Sequence, residues 1–227
     1  MGKGPGVQKM FDDIAGRYDL MNRVMTMGQD QKWRRFVVGC TGNPQGGTTL
    51  DLATGTGDIA ALMEATHPGT KVLGADFSFN MLKEAQRRFN GHDISWQACD
   101  ANTLPYASNT FDAVTFGYLL RNVDDSVTVL KEVHRVLKPG GRVVCLDTTP
   151  PEKNLLYPFV RFYFRFGIPI LGKMIADDEA AYAYLNGSTM DFHSAEVLAE
   201  LLSAAGFKDV SFKKFMFGTI GVHWGSK

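Results

Sequence analysis

The sequence predicts an α/β fold: a Rossmann-like, doubly wound, mostly parallel seven-stranded sheet closed by a C-terminal antiparallel hairpin. Three observations predict it. Five short apolar runs alternate with helical stretches between residues 49 and 147. A glycine-rich turn, Gly55-Thr56-Gly57, follows the first run, and two further apolar runs flank Phe217-Gly218. Alternation at this pitch calls for right-handed crossovers, which place helices on both faces of a parallel sheet.

The elements follow in order. Residues 1–40 read as a helical cap, helical over Val7–Val38, with Phe11, Ile14, Tyr18, Met21 and Val24 spaced three or four apart. A polar, glycine-rich break at Thr41–Thr48 opens the core at 48–149. Its strands are predicted at Thr49–Ala53, Lys71–Asp76, Ile94–Asp100, Phe111–Phe116 and Arg142–Asp147, with helices at Asp58–Ala65, Asn80–Asn90 and Asp125–Leu137. Lys138-Pro139-Gly140-Gly141 reads as a stop after the last of these. Residues 150–193 form a helical, substrate-side insert after strand five. The last part, 194–227, is a helix over Ala195–Ala205, capped by Ser194, and a hairpin of Val210–Met216 with Thr219–Trp224.

Composition narrows the function. At 227 residues the chain suits one α/β domain with additions. Lys and Arg equal Asp and Glu in number, so the basic excess of a nucleic-acid binder is absent. Cys40, Cys99 and Cys145 form no CxxC pair, which points to reduced thiols in a cytosolic protein and to no metal site. No apolar run follows the N-terminus, and Gly6 stands where a myristoylation signal wants Ser or Thr. The run at 154–175 is apolar but carries Arg161, Arg165, Pro158 and Pro169. It reads as an amphipathic helix with an aromatic face and not as a membrane span.

The turn Leu50–Asp58 carries the chemistry. Gly55 and Gly57 let backbone approach a ligand closely, at the carboxyl end of a strand where open sheets bind ligands. Asp76 ends the second strand, 21 residues after Gly55, where a carboxylate accepts ribose hydroxyls. Position 60 is Ala, so the third glycine of a dinucleotide motif is missing, and a ligand with ribose and no phosphate fits better. Asp100-Ala101 ends the third strand, placed to read an adenine edge.

These residues resemble the ubiquinone/menaquinone biosynthesis C-methyltransferase family. The shared runs include Phe11–Asn22 (FDDIAGRYDLMN), Leu50–Asp58, Asp76-Phe77-Ser78 with Met81-Leu82, Phe111–Thr115, Leu120-Arg121-Asn122-Val123, Val136–Arg142, Leu171-Gly172-Lys173, Tyr184-Leu185 and Ala205-Gly206-Phe207. The likeness spans nearly the whole chain. It implies S-adenosyl-L-methionine as cofactor, held by Tyr18, Thr54, Gly55, Thr56, Gly57, Asp76, Phe77, Met81, Asp100, Ala101 and Gly117. It places Arg121 and Asn122 at the catalytic positions. It implies C-methylation of a prenylated quinol in quinone biosynthesis; the alternative is a methyltransferase acting on O, N or C of another phenolic or aromatic metabolite. A dinucleotide oxidoreductase is disfavoured by the missing glycine, and a subunit that has lost catalysis by the retained Arg121-Asn122 pair.

The chain departs from the family's usual pattern at three places. Gly117-Tyr118-Leu119 stands where Ser-Phe-Gly is usual, Asp147-Thr148-Thr149 where Glu-Phe is common, and 186–190 lacks the family's Glu and Arg. From the residues alone Arg121 has a second reading, capping the fourth strand or pairing with Asp124 or Asp125. His193, beside Tyr184 and Asp191, is the histidine worth holding as a site candidate, against a capping role. The aromatic run Tyr157–Phe166 suits a prenyl-tail channel, a peripheral membrane contact or an ordinary lid helix. A homodimer is left open.

Overall fold

The computed structural model describes residues 4–151, 157–167, 184 and 187–227. One seven-stranded sheet organises the chain, in the order β3-β2-β1-β4-β5-β7-β6. Its strands are β1 (Thr48–Leu52), β2 (Lys71–Asp76), β3 (Ile94–Ala98), β4 (Phe111–Gly117), β5 (Leu137–Thr148), β6 (Lys208–Phe215) and β7 (Ile220–Ser226). The first five run parallel. β7 joins β5 antiparallel and carries β6, so the predicted hairpin closes one edge. The order reverses between β1 and β4, and this switch point opens a crevice above their carboxyl ends.

Helices α4 (Asp58–Thr66), α5 (Phe79–Arg88) and α6 (Ser126–Val136) are the crossovers. Each start has a physical cause. Gly57 begins α4 in a left-handed conformation, φ +89°, and the Ser78 hydroxyl caps α5 by accepting from the Met81 N–H. The Asp125 carboxylate caps α6 by accepting from Val127 and Thr128. Ser194 caps α8 (Ala195–Ala204) in the same way, as its sequence position predicts.

Strand alternation splits the core between the two faces. Val143 and Cys145 turn toward α6 and α8, against Val129, Leu130, Val133, Leu198 and Leu202. Val144 and Leu146 turn the other way, toward Trp33, Val37, Ile59 and Met63. All of these are nearly or fully excluded from water, and each such aliphatic side chain stabilises the fold by roughly 1.5–3 kcal/mol.

Most element bounds shift by one or two residues, β3 ending at Ala98 so that Asp100 lies in the loop beyond it, and two differ more. The N-terminal helical stretch is three helices, α1 (Gly4–Ile14), α2 (Tyr18–Met25) and α3 (Asp30–Cys40). The break before α3 arises because Met27 and Gly28 take left-handed φ values of +51° and +74°. Strand five starts at Leu137, before Arg142, so the Lys138–Gly141 stop lies inside it. It forms a bulge, with Gly140 at φ +77° and its N–H donated to the Lys227 carbonyl. Of the 154–175 run, α7 (Tyr157–Phe162) and a following π turn (Tyr163–Gly167) are described. The remainder of that reading, and Leu171-Gly172-Lys173, lie outside the described residues. Among the described residues no helix is long and apolar enough to cross a membrane.

Candidate active site

Three adjoining cavities occupy the crevice at the carboxyl ends of the parallel strands, and Ala53 borders all three. The first, about 630 Å³, is walled by Val7, Phe77, Ala101 and Leu119, with Asp100 and Asn102 at its rim. The second, about 420 Å³, lies between Phe11, Tyr18, Asp76, Met81 and Asn122. The third, about 380 Å³, runs along Tyr18, Thr54, Gly55, Thr56 and Tyr118 to Arg34 and Asp58. Tyr18, Gly55, Gly117 and Tyr118 belong to both the second and the third.

The glycine turn is held from below. The Asp51 carboxylate is buried and accepts from the Thr54 hydroxyl at 2.6 Å and the Thr115 hydroxyl at 2.7 Å. One carboxylate thus ties β1, β4 and the turn together. Burial pushes the Asp51 carboxyl up to about 6, against the pull of these two hydroxyl bonds. Beyond it Ala53, Gly55 and Gly57 all take left-handed φ values, +51°, +56° and +89°. Tyr118, across the crevice, does the same at +57°. Ala53 and Tyr118 carry a Cβ, so each conformation costs about 1–3 kcal/mol, a strain that gathers at functional sites.

The two glycines have different tasks. A Cβ on Gly55 would meet only the Tyr18 ring, at 3.9 Å, so this position leaves space above the turn. A Cβ on Gly57 would lie 2.6 Å from the Trp96 ring and 3.2 Å from Ala85. Gly57 therefore serves helix-to-sheet packing and lines none of the three cavities, unlike the contact its motif suggests.

Asp76 faces the second cavity with both oxygens partly engaged. Oδ2 accepts from the Gly55 N–H at 2.8 Å and Oδ1 from the Ser78 N–H at 2.9 Å. A carboxylate has about four lone-pair sites, so acceptor capacity remains for a diol. Burial raises its pKa, while backbone N–H groups of Ser78, Gly55 and Phe77 pull the other way. Asp100 accepts from the Asn102 backbone and side chain, each at 2.8 Å, which turns it toward the first cavity's rim.

The helical cap closes the crevice from above. Val7 and Phe11 of α1 and Tyr18 of α2 enter the cavity walls. The Thr56 hydroxyl donates to Asp19 at 2.7 Å, and Arg88 bridges Asp19 and Asp58 at 2.8 and 2.7 Å. Asp12 accepts from the Ser78 hydroxyl and the Asn80 N–H, docking α1 on the start of α5.

Arg121 and Asn122 share the 3₁₀ turn Leu120–Asn122, directly after β4. The Asn122 amide borders the first two cavities, donates to the Tyr118 carbonyl at 2.6 Å and accepts from the Tyr184 hydroxyl at 3.0 Å. Arg121 is buried behind it, its guanidinium 4.7 Å from the Tyr118 ring centre, and unlike Asn122 it lines none of the three cavities. It pairs with the Asp147 carboxylate at 2.8 Å, a partner that the second reading of Arg121, with Asp124 or Asp125, did not name. Burial raises the Asp147 pKa, and the Arg121 charge opposes that rise. His193 is exposed, packs on Phe192 and lines none of the cavities.

Most of the sequence-predicted residues thus converge: Tyr18, Thr54, Gly55, Thr56, Asp76, Phe77, Met81, Asp100, Ala101, Gly117 and Asn122 all line the crevice. Sequence reasoning gave no role to Asp19, Asp51 or Asp147. Asp147 had a signal, since it ends a parallel strand as Asp76 and Asp100 nearly do.

The chain is similar to known proteins in sequence and in fold. A ubiquinone/menaquinone biosynthesis C-methyltransferase UbiE of Desulfotalea psychrophila is 73% identical over 227 residues, covering all of this chain and 92% of its own. A demethylmenaquinone methyltransferase of Geobacillus stearothermophilus is 41% identical, with 97% and 96% covered. Among solved structures, a SAM-dependent methyltransferase of Thermotoga maritima matches in fold, with a TM-score of 0.67, 22% identity, and 96% and 98% covered. A model of the ubiE/COQ5 methyltransferase family matches residues 2–227, and with a relative this similar along its whole length the chain belongs to that family.

Proposed function

We infer that this S-adenosylmethionine-dependent methyltransferase methylates a ring carbon of a quinol in ubiquinone or menaquinone biosynthesis. The observation that carries the reading is the pair of adjoining cavities that runs from Asp100 past Asp76 to Asn122, in a chain whose relatives bear these names.

The residues present fit the cofactor. Asp76, with acceptor capacity to spare beside a turn left open at Gly55, suits the ribose diol. The apolar walls Phe77, Ala101 and Leu119, with Asp100 at the rim, suit adenine. Gly55 and Thr56, under the Tyr18 ring, suit the amino-acid end. When bound, S-adenosylmethionine supplies an electrophilic methyl group.

The chain's part is to make a ring carbon nucleophilic and to aim it. A phenolic hydroxyl has a pKa near ~10, and its deprotonation moves electron density onto the adjoining ring carbon. The Arg121 guanidinium acts as a fixed positive charge that favours the phenolate. Asn122 holds a quinol oxygen or the water that takes its proton. The cap helices exclude bulk water while the reacting atoms are aligned.

The lipophilic substrate also explains the aromatic insert. Phe162 and Phe166 are 65% and 46% exposed, with ring centroids 5.0 Å apart, beside exposed Arg161. This rim suits contact with the surface of an anionic bilayer. Co-sedimentation with anionic phospholipid vesicles, lost in Phe162→Ser/Phe166→Ser, is the expected result; equal sedimentation of both proteins removes the contact.

Methyl transfer from labelled S-adenosylmethionine to a short-tailed demethylmenaquinol, under reducing conditions, tests the main reading. A labelled quinone on reoxidation is expected. Tight cofactor binding without product would overturn the quinol assignment.

A further inference from the structure

A guanidinium is useful in a site only if its fork points one way, because its donors lie in a fixed plane. The direction of Arg121 is set from a distant part of the chain. Nη1 donates to Asp147 Oδ1 at 2.8 Å, and the Arg121 backbone N–H approaches Oδ2 at 3.5 Å. Asp147 is itself held, accepting from the Thr148 N–H at 2.8 Å. The Thr148 hydroxyl lies 3.4 Å from Nη1 and accepts from the Thr189 hydroxyl at 3.1 Å. The Tyr118 ring covers one face of the guanidinium.

The pair is a poor source of stability. Asp147 is 0% and Arg121 6% exposed, and desolvating two charges offsets most of their attraction. What such a pair does well is fix geometry. Neither Asp147 nor Arg121 lines any of the three cavities; Arg121 adjoins them through its neighbours Tyr118 and Asn122, so Asp147 bears on the site through Arg121.

We propose that Asp147 is a positioning residue for methyl transfer: it aims the Arg121 guanidinium, and so sets the turnover rate, without touching cofactor or quinol. The proposal rests on the reading of Arg121 given above.

Two measurements decide it. The first is the ¹⁵N NMR signal of the Arg121 guanidinium. A held fork rotates slowly and gives split Nη signals; these are expected in the wild type and lost in Asp147→Asn. The second is kinetic. Asp147→Asn is expected to lower kcat at least tenfold with KM for S-adenosylmethionine within twofold. Asp147→Glu, which restores the charge, is expected to recover part of the rate. Arg121→Gln with Asp147→Asn is expected to lose no more than Arg121→Gln alone, because the two act as one unit. Averaged Nη signals in the wild type, a kcat within twofold in Asp147→Asn, or losses that multiply in the double variant would each overturn the proposal. Should Asp147→Asn not fold, the wild-type signal and Asp147→Glu decide. A wild type inactive on the quinol sinks the substrate reading, and the guanidinium signals alone then decide the positioning role.

Discussion

The Thr56 hydroxyl and the Asp19 carboxylate meet at 2.7 Å, 37 residues apart in sequence. This bond joins the helical cap to the glycine turn that borders the crevice. Arg88 reinforces it, donating to the Thr56 carbonyl at 2.9 Å while bridging Asp19 and Asp58. The cap is therefore latched through charge-assisted hydrogen bonds, which are worth about 1.5–3 kcal/mol each.

Asp19→Ala removes the latch and leaves Arg88 its Asp58 partner. Affinity for S-adenosylhomocysteine, measured by titration calorimetry, is expected to fall about ten- to a hundredfold, the range a bond of this class supports. The fold should persist, since the sheet core does not involve Asp19. An unchanged affinity would show that cap docking and ligand binding are independent.

Asp51 makes a pH prediction with a definite sign. Its folded pKa of about 6 stands above the ordinary 3.8, so the folded state binds its proton more tightly. Its contribution is therefore full below about pH 4 and lost as pH rises through 6, to a limit of about 3 kcal/mol. In Asp51→Asn that part of the slope is absent. Urea unfolding at pH 4.5 and 7.5 is expected to show the variant gaining on the wild type at the higher pH. A constant difference between the two proteins at both pH values contradicts the assignment.

Gly57 is expected to be intolerant of any side chain. Alanine there meets a left-handed φ of +89° and the Trp96 ring at 2.6 Å. Strain and overpacking together are expected to cost about 2–5 kcal/mol of unfolding free energy in Gly57→Ala. Gly55→Ala meets its nearest atom only at 3.9 Å and is expected to cost about 1–2 kcal/mol. Equal losses in urea titrations of the two variants would contradict the division of labour between them.

Tyr184 reaches Asn122 from 62 residues away, donating its hydroxyl at 3.0 Å. With the Asn122 amide also bound to the Tyr118 carbonyl, the side chain is held in one orientation. Tyr184→Phe is expected to lower kcat roughly three- to tenfold, the loss of one neutral hydrogen bond, with cofactor affinity unchanged. A variant with wild-type kcat would show that Asn122 needs no support from the insert.

Much of this was legible in the residues. Lys71–Asp76 is a strand at its predicted bounds, because an apolar run between turn signals has only one way to be buried on both faces. Ser194 caps its helix as expected, since capping is decided within four residues. Asp76, Asp100 and the glycine turn converge because each follows a parallel strand, and the sheet brings those ends to one edge.

Long-range pairings were not legible. Asp125 and Asp124 are near Arg121 in sequence, yet the first caps α6 and Arg121 pairs with Asp147, 26 residues on. Gly57 looks like Gly55 in the motif, and only the position of Trp96 on β3 separates their tasks. Local sequence determined the strands, the turns and the residue types at the crevice, because hydrophobic period and backbone freedom act over a few residues. The tertiary structure alone decided which charges meet and which glycine borders the crevice, because those depend on the register and order of strands distant in the chain.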